Sequence, residues 1–187
     1  MSLKNIPGRA FLDTSVVNFW LDYGPQISDG AAIPDGLSDA DVADIEALHN
    51  IYMTGQRASW QLAISPHTYQ EVLNTTCPSR RYYLESWFFE IWNYWQEIIE
   101  ANDDLPPFIE AEAIRVRILS SGILEILPDV EDRILLLDAI VYNSDLFCTR
   151  DRKTIIKYRD ELEPLAIPIL TPAEWWDRIL PYAPIWW

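Results

Sequence analysis

Basic residues are scarce. Across 187 residues, 14 Lys and Arg face 29 Asp and Glu, a formal net charge of −15. A chain this acidic is a poor general binder of nucleic acid, because affinity for phosphates comes mostly from Lys and Arg. The shortage is also local: residues 10–56 hold eight acids and no Lys or Arg, and residues 82–114 hold another eight and none. Only residues 150–159 are basic, with Arg150, Arg152, Lys153, Lys157 and Arg159, so the field around a site matters more than the total. Cysteine is sparse too. Cys77 and Cys148 are too few and too far apart for a zinc knuckle or a disulfide framework, which fits a reducing, cytoplasmic setting. His49 and His67 have no ligand partner at metal-binding spacing, which argues against zinc. The longest apolar-looking stretch, Tyr82 to Ile99, is broken by Glu85, Glu90, Asn93, Gln96 and Glu97, so no segment reads as membrane-spanning. The N-terminal MSLKNIPGRAFLDTS has no apolar core of signal-peptide length, and export is not expected. Repeats and low-complexity segments are absent.

What is present is a globular composition, 49% hydrophobic and 23% charged, and a length suited to one domain over residues 1–187. Short apolar runs alternate with longer helical patterns. That predicts an α/β fold, three-layer α/β/α with a mostly parallel central sheet, elaborated by extra helices at about 79–121. Strands are expected at 9–13, 60–64, 123–127, 145–149 and 166–170. Helices are expected over 15–21, from Ser38 to about Gly55, after Ser65-Pro66, over 79–101, from Pro106 or Pro107 to about Ser121, over 130–142 and over about 152–162. Ser65 and Asp129 read as N-caps, and Thr171-Pro-Ala-Glu174 as a capping box. Residues 23–38, rich in Gly and Pro, read as a long loop.

Four acids fall at strand ends on this map. Asp13 follows the first strand, Glu71 lies in the second turn of the helix after the second, and Asp132 lies in the first turn of the helix after the third. Asp151 comes two residues beyond Thr149, at the end of the fourth. In a parallel sheet all strand C-termini share one edge, where ligands bind, so the four carboxylates are expected to converge. Ionised carboxylates in a small volume raise each other's pKa. A hard divalent cation with oxygen ligands, Mg²⁺ or Mn²⁺, removes the conflict.

Each acid also has an ordinary explanation. Asp13 is suited to capping the next helix, Asp132 to a favourable place on the helix dipole, Glu71 to a solvated face and Asp151 to a turn. Asp138 is a rival to Asp132. It lies six residues on, about 240° around a helix, so both cannot face one site. Its place within the apolar run from Ile134 to Val141 favours Asp132.

Ala10-Phe-Leu-Asp-Thr-Ser15 resembles the opening motif of PIN domains, a hydrophobic strand, an Asp and a small hydroxyl residue. Ile64-Ser-Pro-His-Thr-Tyr-Gln-Glu-Val72 resembles their second motif. Asp132-Arg-Ile-Leu, with Ser144-Asp-Leu-Phe-Cys-Thr-Arg-Asp151 following at the family's separation, resembles the third and fourth. The resemblance covers about 10–20, 62–73 and 123–170. It implies a metal-dependent ribonuclease acting on single-stranded RNA, as in RNA-processing nucleases and the toxins of toxin–antitoxin pairs. By matching position, Asp13, Glu71, Asp132 and Asp151 become catalytic metal-binding acids, with Ser15 and Thr149 as supporting hydroxyls. An antitoxin-like protein inhibitor is a further implied partner.

Arg150, Arg152 and Lys153 flank Asp151 and are candidates for binding substrate phosphates. A different reading is a PIN-like interaction module without nuclease activity. It draws on the acidic surface and on the stripe Trp87, Phe88, Trp92, Trp95 and Ile99, which is either core or an intersubunit face; a homodimer is the expected assembly. A phosphatase-like enzyme with Asp13 as nucleophile ranks third, because Ser15 stands where such an enzyme needs an acid–base carboxyl. The Trp-rich C-terminus, Trp175-Trp176 to Trp186-Trp187, is expected to pack on the sheet or on a partner.

Overall fold

The computed structural model describes residues 6–58, 60–101, 106 and 108–185, with side chains of the longest helix described as far as Tyr94. Residues 1–5, the side chains of Trp95 and Ile99, Pro107, and Trp186-Trp187 lie outside the described residues.

Four short strands form one all-parallel sheet in the order β2-β1-β3-β4: β1 Arg9–Leu12, β2 Gln61–Ala63, β3 Leu146–Cys148 and β4 Ile169–Leu170. The register pairs Phe11 with Ala63 on one side and with Phe147 on the other. Alternation along the strands then divides the core. Ala10, Leu12, Leu146 and Cys148 join one apolar cluster, while Phe11, Ala63, Phe147 and Ile169 join another. Both faces of the sheet are thus buried, as a parallel sheet requires. Phe11 and Phe147 are fully buried and stack at 5.7 Å, each contributing about 2–3 kcal/mol by area.

The first cluster is covered by helices α1 (Thr14–Asp22), α2 (Gly24–Asp29) and α3 (Asp39–Ala58), and by α8 (Pro172–Ile179). The second is covered by α6 (Phe108–Ser121) and α7 (Val130–Val141). Two further helices, α4 (Pro66–Leu73) and α5 (Pro78–Ala101), follow β2. The expected caps are present: Ser65 accepts from the His67 amide, Asp129 from the Glu131 amide, and Thr171 and Glu174 form a reciprocal capping box. The aromatic stripe of α5 is core as far as it is described. Trp87 packs on Trp20 with ring centroids 6.3 Å apart, and buried Phe88 stacks on Trp92 at 5.9 Å.

Three expectations need correction. Residues 123–127 are not a strand: Ile123–Ile126 form a 3₁₀ helix entered through Gly122, whose φ of 71° is left-handed. The buried residues there, Leu124 and Leu127, are three apart, a helical and not a strand period. Residues 152–162 do not form a regular helix, because the Asp151 carboxylate captures the amides of Lys153 and Thr154 and starts a series of tight turns. Within the segment expected as a loop, α2 forms over Gly24–Asp29 and ends at Gly30, with φ 67°. Ile27 of α2 is fully buried, and its carbonyl stands 2.8 Å from Nδ1 of His49, which gives that histidine a structural task.

Candidate functional site

The strand order creates a particular crevice. From β1 the chain moves to β2 on one side, and from β3 it moves to β4 on the other. Ligands of open α/β sheets bind where the order reverses, outside the strand C-termini, here between β1 and β3. Asp13 is the residue after β1, and Thr149 the residue after β3.

Asp13 occupies the N-cap position of α1, yet its side chain makes no capping hydrogen bond. Its Oδ2 instead accepts from the Thr149 hydroxyl at 2.6 Å and from the Ser15 hydroxyl in a short contact. The two hydroxyls bind the ends of β1 and β3 together. The Arg150 amide donates to Ser15 Oγ at 3.0 Å, and the Asp151 amide to Thr149 Oγ1 at 3.0 Å. Both hydroxyls singled out in the sequence therefore touch the carboxylate.

Asp151 does serve as a turn residue through Oδ1, which accepts the Lys153 and Thr154 amides at 2.9 Å each. Its Oδ2 accepts the Thr154 hydroxyl, which also lies 3.2 Å from Oδ2 of Asp132. Thr154 thus joins the acid on α7 to the acid beyond β3. Sequence reading did not single it out; the signal was a hydroxyl residue three positions after an Asp, the spacing of a side-chain turn. Glu71 lies on α4, where the nearby Thr14 side chain lowers its pKa against the effect of burial; the Thr14 hydroxyl itself donates to that of Thr68 at 3.4 Å.

Electrostatics tie the four together. Burial pushes the Asp13 carboxyl above its ordinary range, against the lowering effect of the Ser15 and Thr149 hydroxyls, and Asp151 adds repulsion. Burial likewise raises Glu71, with repulsion from Asp13, Glu131 and Asp129. Asp132 is pushed up to about 7, first by burial, then by the charges of Asp13, Asp129 and Asp151. No ion pair seen among the described residues involves any of the four carboxylates. Among the described residues no three Asp, Glu, His or Cys side chains are already close enough to share one ion; Asp13, Asp132 and Asp151 are linked through hydroxyls. The donors are all oxygen, and among the described residues no cationic side chain pairs with them. A hard divalent cation fits that donor chemistry.

Asp138 stands elsewhere. It is buried, accepts the Ser65 hydroxyl at 2.5 Å and pairs with Arg115 at 2.7 Å, whereas Asp132 shares the Thr154 hydroxyl with Asp151. The expected phosphate-binding residues divide. Lys153 is exposed. Arg150 and Arg152 direct their guanidinium groups at Asp41 and Asp44 of α3, residues not foreseen as part of the site. No family model, curated protein or solved structure matches this chain. No helix among the described residues is long and apolar enough to cross a membrane.

Proposed function

We propose that this protein is a divalent-metal-dependent endoribonuclease with a PIN-like three-layer fold, hydrolysing phosphodiesters of single-stranded RNA. The observation that carries the reading is that Thr149 links the Asp13 carboxylate to the Asp151 amide, and Thr154 links the carboxylates of Asp151 and Asp132, at the C-terminal ends of β1 and β3. Asp13, Glu71, Asp132 and Asp151 are the residues to hold Mg²⁺ or Mn²⁺. The ion, when bound, supplies positive charge for the phosphodiester and lowers the pKa of the attacking water. The chain's own groups do the rest. Ser15 and Thr149 orient Asp13 and favour its ionised form, and Thr154 fixes Asp132 relative to Asp151. Lys153, exposed two residues after Asp151, is the cation proposed to bind a substrate phosphate. A toxin-like role with a protein inhibitor, and action in the cytoplasm, belong to the same proposal.

Cleavage of a single-stranded RNA with Mg²⁺ or Mn²⁺ tests the reading. Wild-type protein cuts, chelation abolishes cutting, and Asp13→Asn and Asp151→Asn each lower the rate by about 10²-fold or more. Undiminished cutting by either variant contradicts the assignment.

A second reading, an interaction module, draws on Tyr82, Tyr83 and Phe89, which α5 leaves exposed. It predicts no response to divalent ions and a self-association that Tyr82→Ser and Phe89→Ser weaken in light scattering.

A further inference from the structure

Asp44 is a fully buried carboxylate in the second turn of α3. Its Oδ2 accepts Nε of Arg150 at 2.9 Å and Nη1 of Arg152 at 3.1 Å, and its Oδ1 accepts Nη2 of Arg152 at 3.3 Å. The amide of Ala173, in the first turn of α8, approaches Oδ1 at 3.4 Å. Asp41, one turn earlier on α3, accepts Nη2 of Arg150 and is itself held by the Ser38 hydroxyl at 2.7 Å. Below the guanidinium lies the ring of Phe19, 3.3 Å from the central carbon to the centroid. Arg150 is therefore held along the Nε–Nη2 edge and over one face.

Such an arrangement is weak evidence for stability. Desolvating buried ions costs several kcal/mol, and apolar residues of similar volume often serve a fold as well. What it does provide is position. The backbone amide of Arg150 donates to Ser15 Oγ, and that hydroxyl donates to Asp13. The next residue is Asp151, whose amide is held by Thr149, the other partner of Asp13. The path from Asp44 thus runs through the Arg150 side chain and one peptide unit to Asp151, and through the Arg150 side chain, its amide and the Ser15 hydroxyl to Asp13.

We propose that Asp44, with Asp41, is a positioning residue for the carboxylate site: by clamping Arg150 it fixes the segment from Thr149 to Thr154 and so sets the relation of Asp13 to Asp151. The inference deepens the nuclease reading and rests on it for its consequence, though not for its first test. Supporting partners of this kind commonly change metal affinity by 10–100-fold without touching the ion.

Amide hydrogen exchange on metal-free protein supplies the first measurement. Asp44→Asn is expected to raise exchange at Arg150, Asp151, Lys153 and Thr154 by about tenfold or more, leaving α7 and β1 at wild-type protection. Asp41→Asn, which removes a half-exposed partner of the same guanidinium, is expected to act in the same direction and keeps the test available should Asp44→Asn fail to fold. Asp22→Asn, at the surface pair with Arg80, is the control and leaves the segment unchanged. The second measurement is Mn²⁺ affinity from the free-ion signal in electron paramagnetic resonance, expected to fall about tenfold in Asp44→Asn. Unchanged exchange at 150–154, or a rise spread evenly over the sheet and α8, overturns the inference. Wild-type protein that takes up no Mn²⁺ overturns the nuclease reading, while the exchange data still decide the positioning role.

Discussion

Asp132 carries a pKa near 7 for reasons that can be separated: burial on α7 comes first, followed by the charges of Asp13, Asp129 and Asp151. An acid whose folded pKa exceeds its unfolded value of about 4 binds its proton more tightly when folded. Its contribution to stability is full below pH ~4 and is lost as pH rises to about 7. Metal-free protein should therefore lose stability across that window and level off above it. Asp13 and Glu71, also raised, act with the same sign. Urea titrations in a chelator at successive pH values check this, with Asp132→Asn removing on the order of 1–2 kcal/mol of the decline, a figure kept low because the group is only half-buried. Thr149 works in the opposite sense on Asp13, since its hydroxyl lowers that pKa. Thr149→Val should move the acidic limb of the cleavage–pH profile to higher pH, and an unmoved limb would mean Asp13 is not the group titrating.

At the scale of elements, the joints between strand and helix carry most of the specificity. Ser65 both caps α4 and donates to buried Asp138, whose other partner is Arg115 on α6. Removing Arg115 leaves a buried carboxylate without its cation. Arg115→Met should cost about 3 kcal/mol in chemical denaturation, whereas Thr171→Ala, which opens the capping box of α8, should cost about 1 kcal/mol. These joints were also the most legible part of the sequence. Ser65-Pro66, Asp129 and Thr171-Pro-Ala-Glu174 state their geometry within four residues, because a cap depends on local hydrogen bonds alone. The misreadings at 123–127 and 152–162 have the opposite character. Ile-Leu-Glu-Ile-Leu is apolar enough for a strand, but Gly122 turns the chain and the buried pair Leu124 and Leu127 keeps a period of three. After Asp151, a side chain competes successfully for amides that a helix would need left free.

Over the whole molecule, the acids at 13, 132 and 151 are far apart in sequence and are drawn toward one another by sheet order and by the packing of α7; Asp132 follows a 3₁₀ helix and not a strand, so the pattern of an acid after each strand held for Asp13 and Asp151 but not for Asp132. The hydroxyl contacts of Asp13 were anticipated from Ser15 and Thr149. The destination of Arg150 was not, because nothing local ties it to Asp41 and Asp44 more than a hundred residues earlier. Self-repulsion is the other global term. With a net charge of −15, the metal-free protein should gain thermal stability as NaCl rises toward physiological ionic strength, where charges beyond about 8 Å are screened. A flat salt response would show that the acids are already neutralised by protons or bound ions.

Binding of a hard divalent cation by the carboxylates at the β1–β3 crevice is what the proposed nuclease activity requires. Calorimetric unfolding at pH 7.5, with and without Mn²⁺, tests it most directly. A ligand that binds only the folded form at about a hundred times its Kd adds about 2.7 kcal/mol. Wild-type protein should therefore show a clear upward shift in Tm that Asp13→Asn loses, whereas an equal shift in both proteins, or none in wild type, would contradict it.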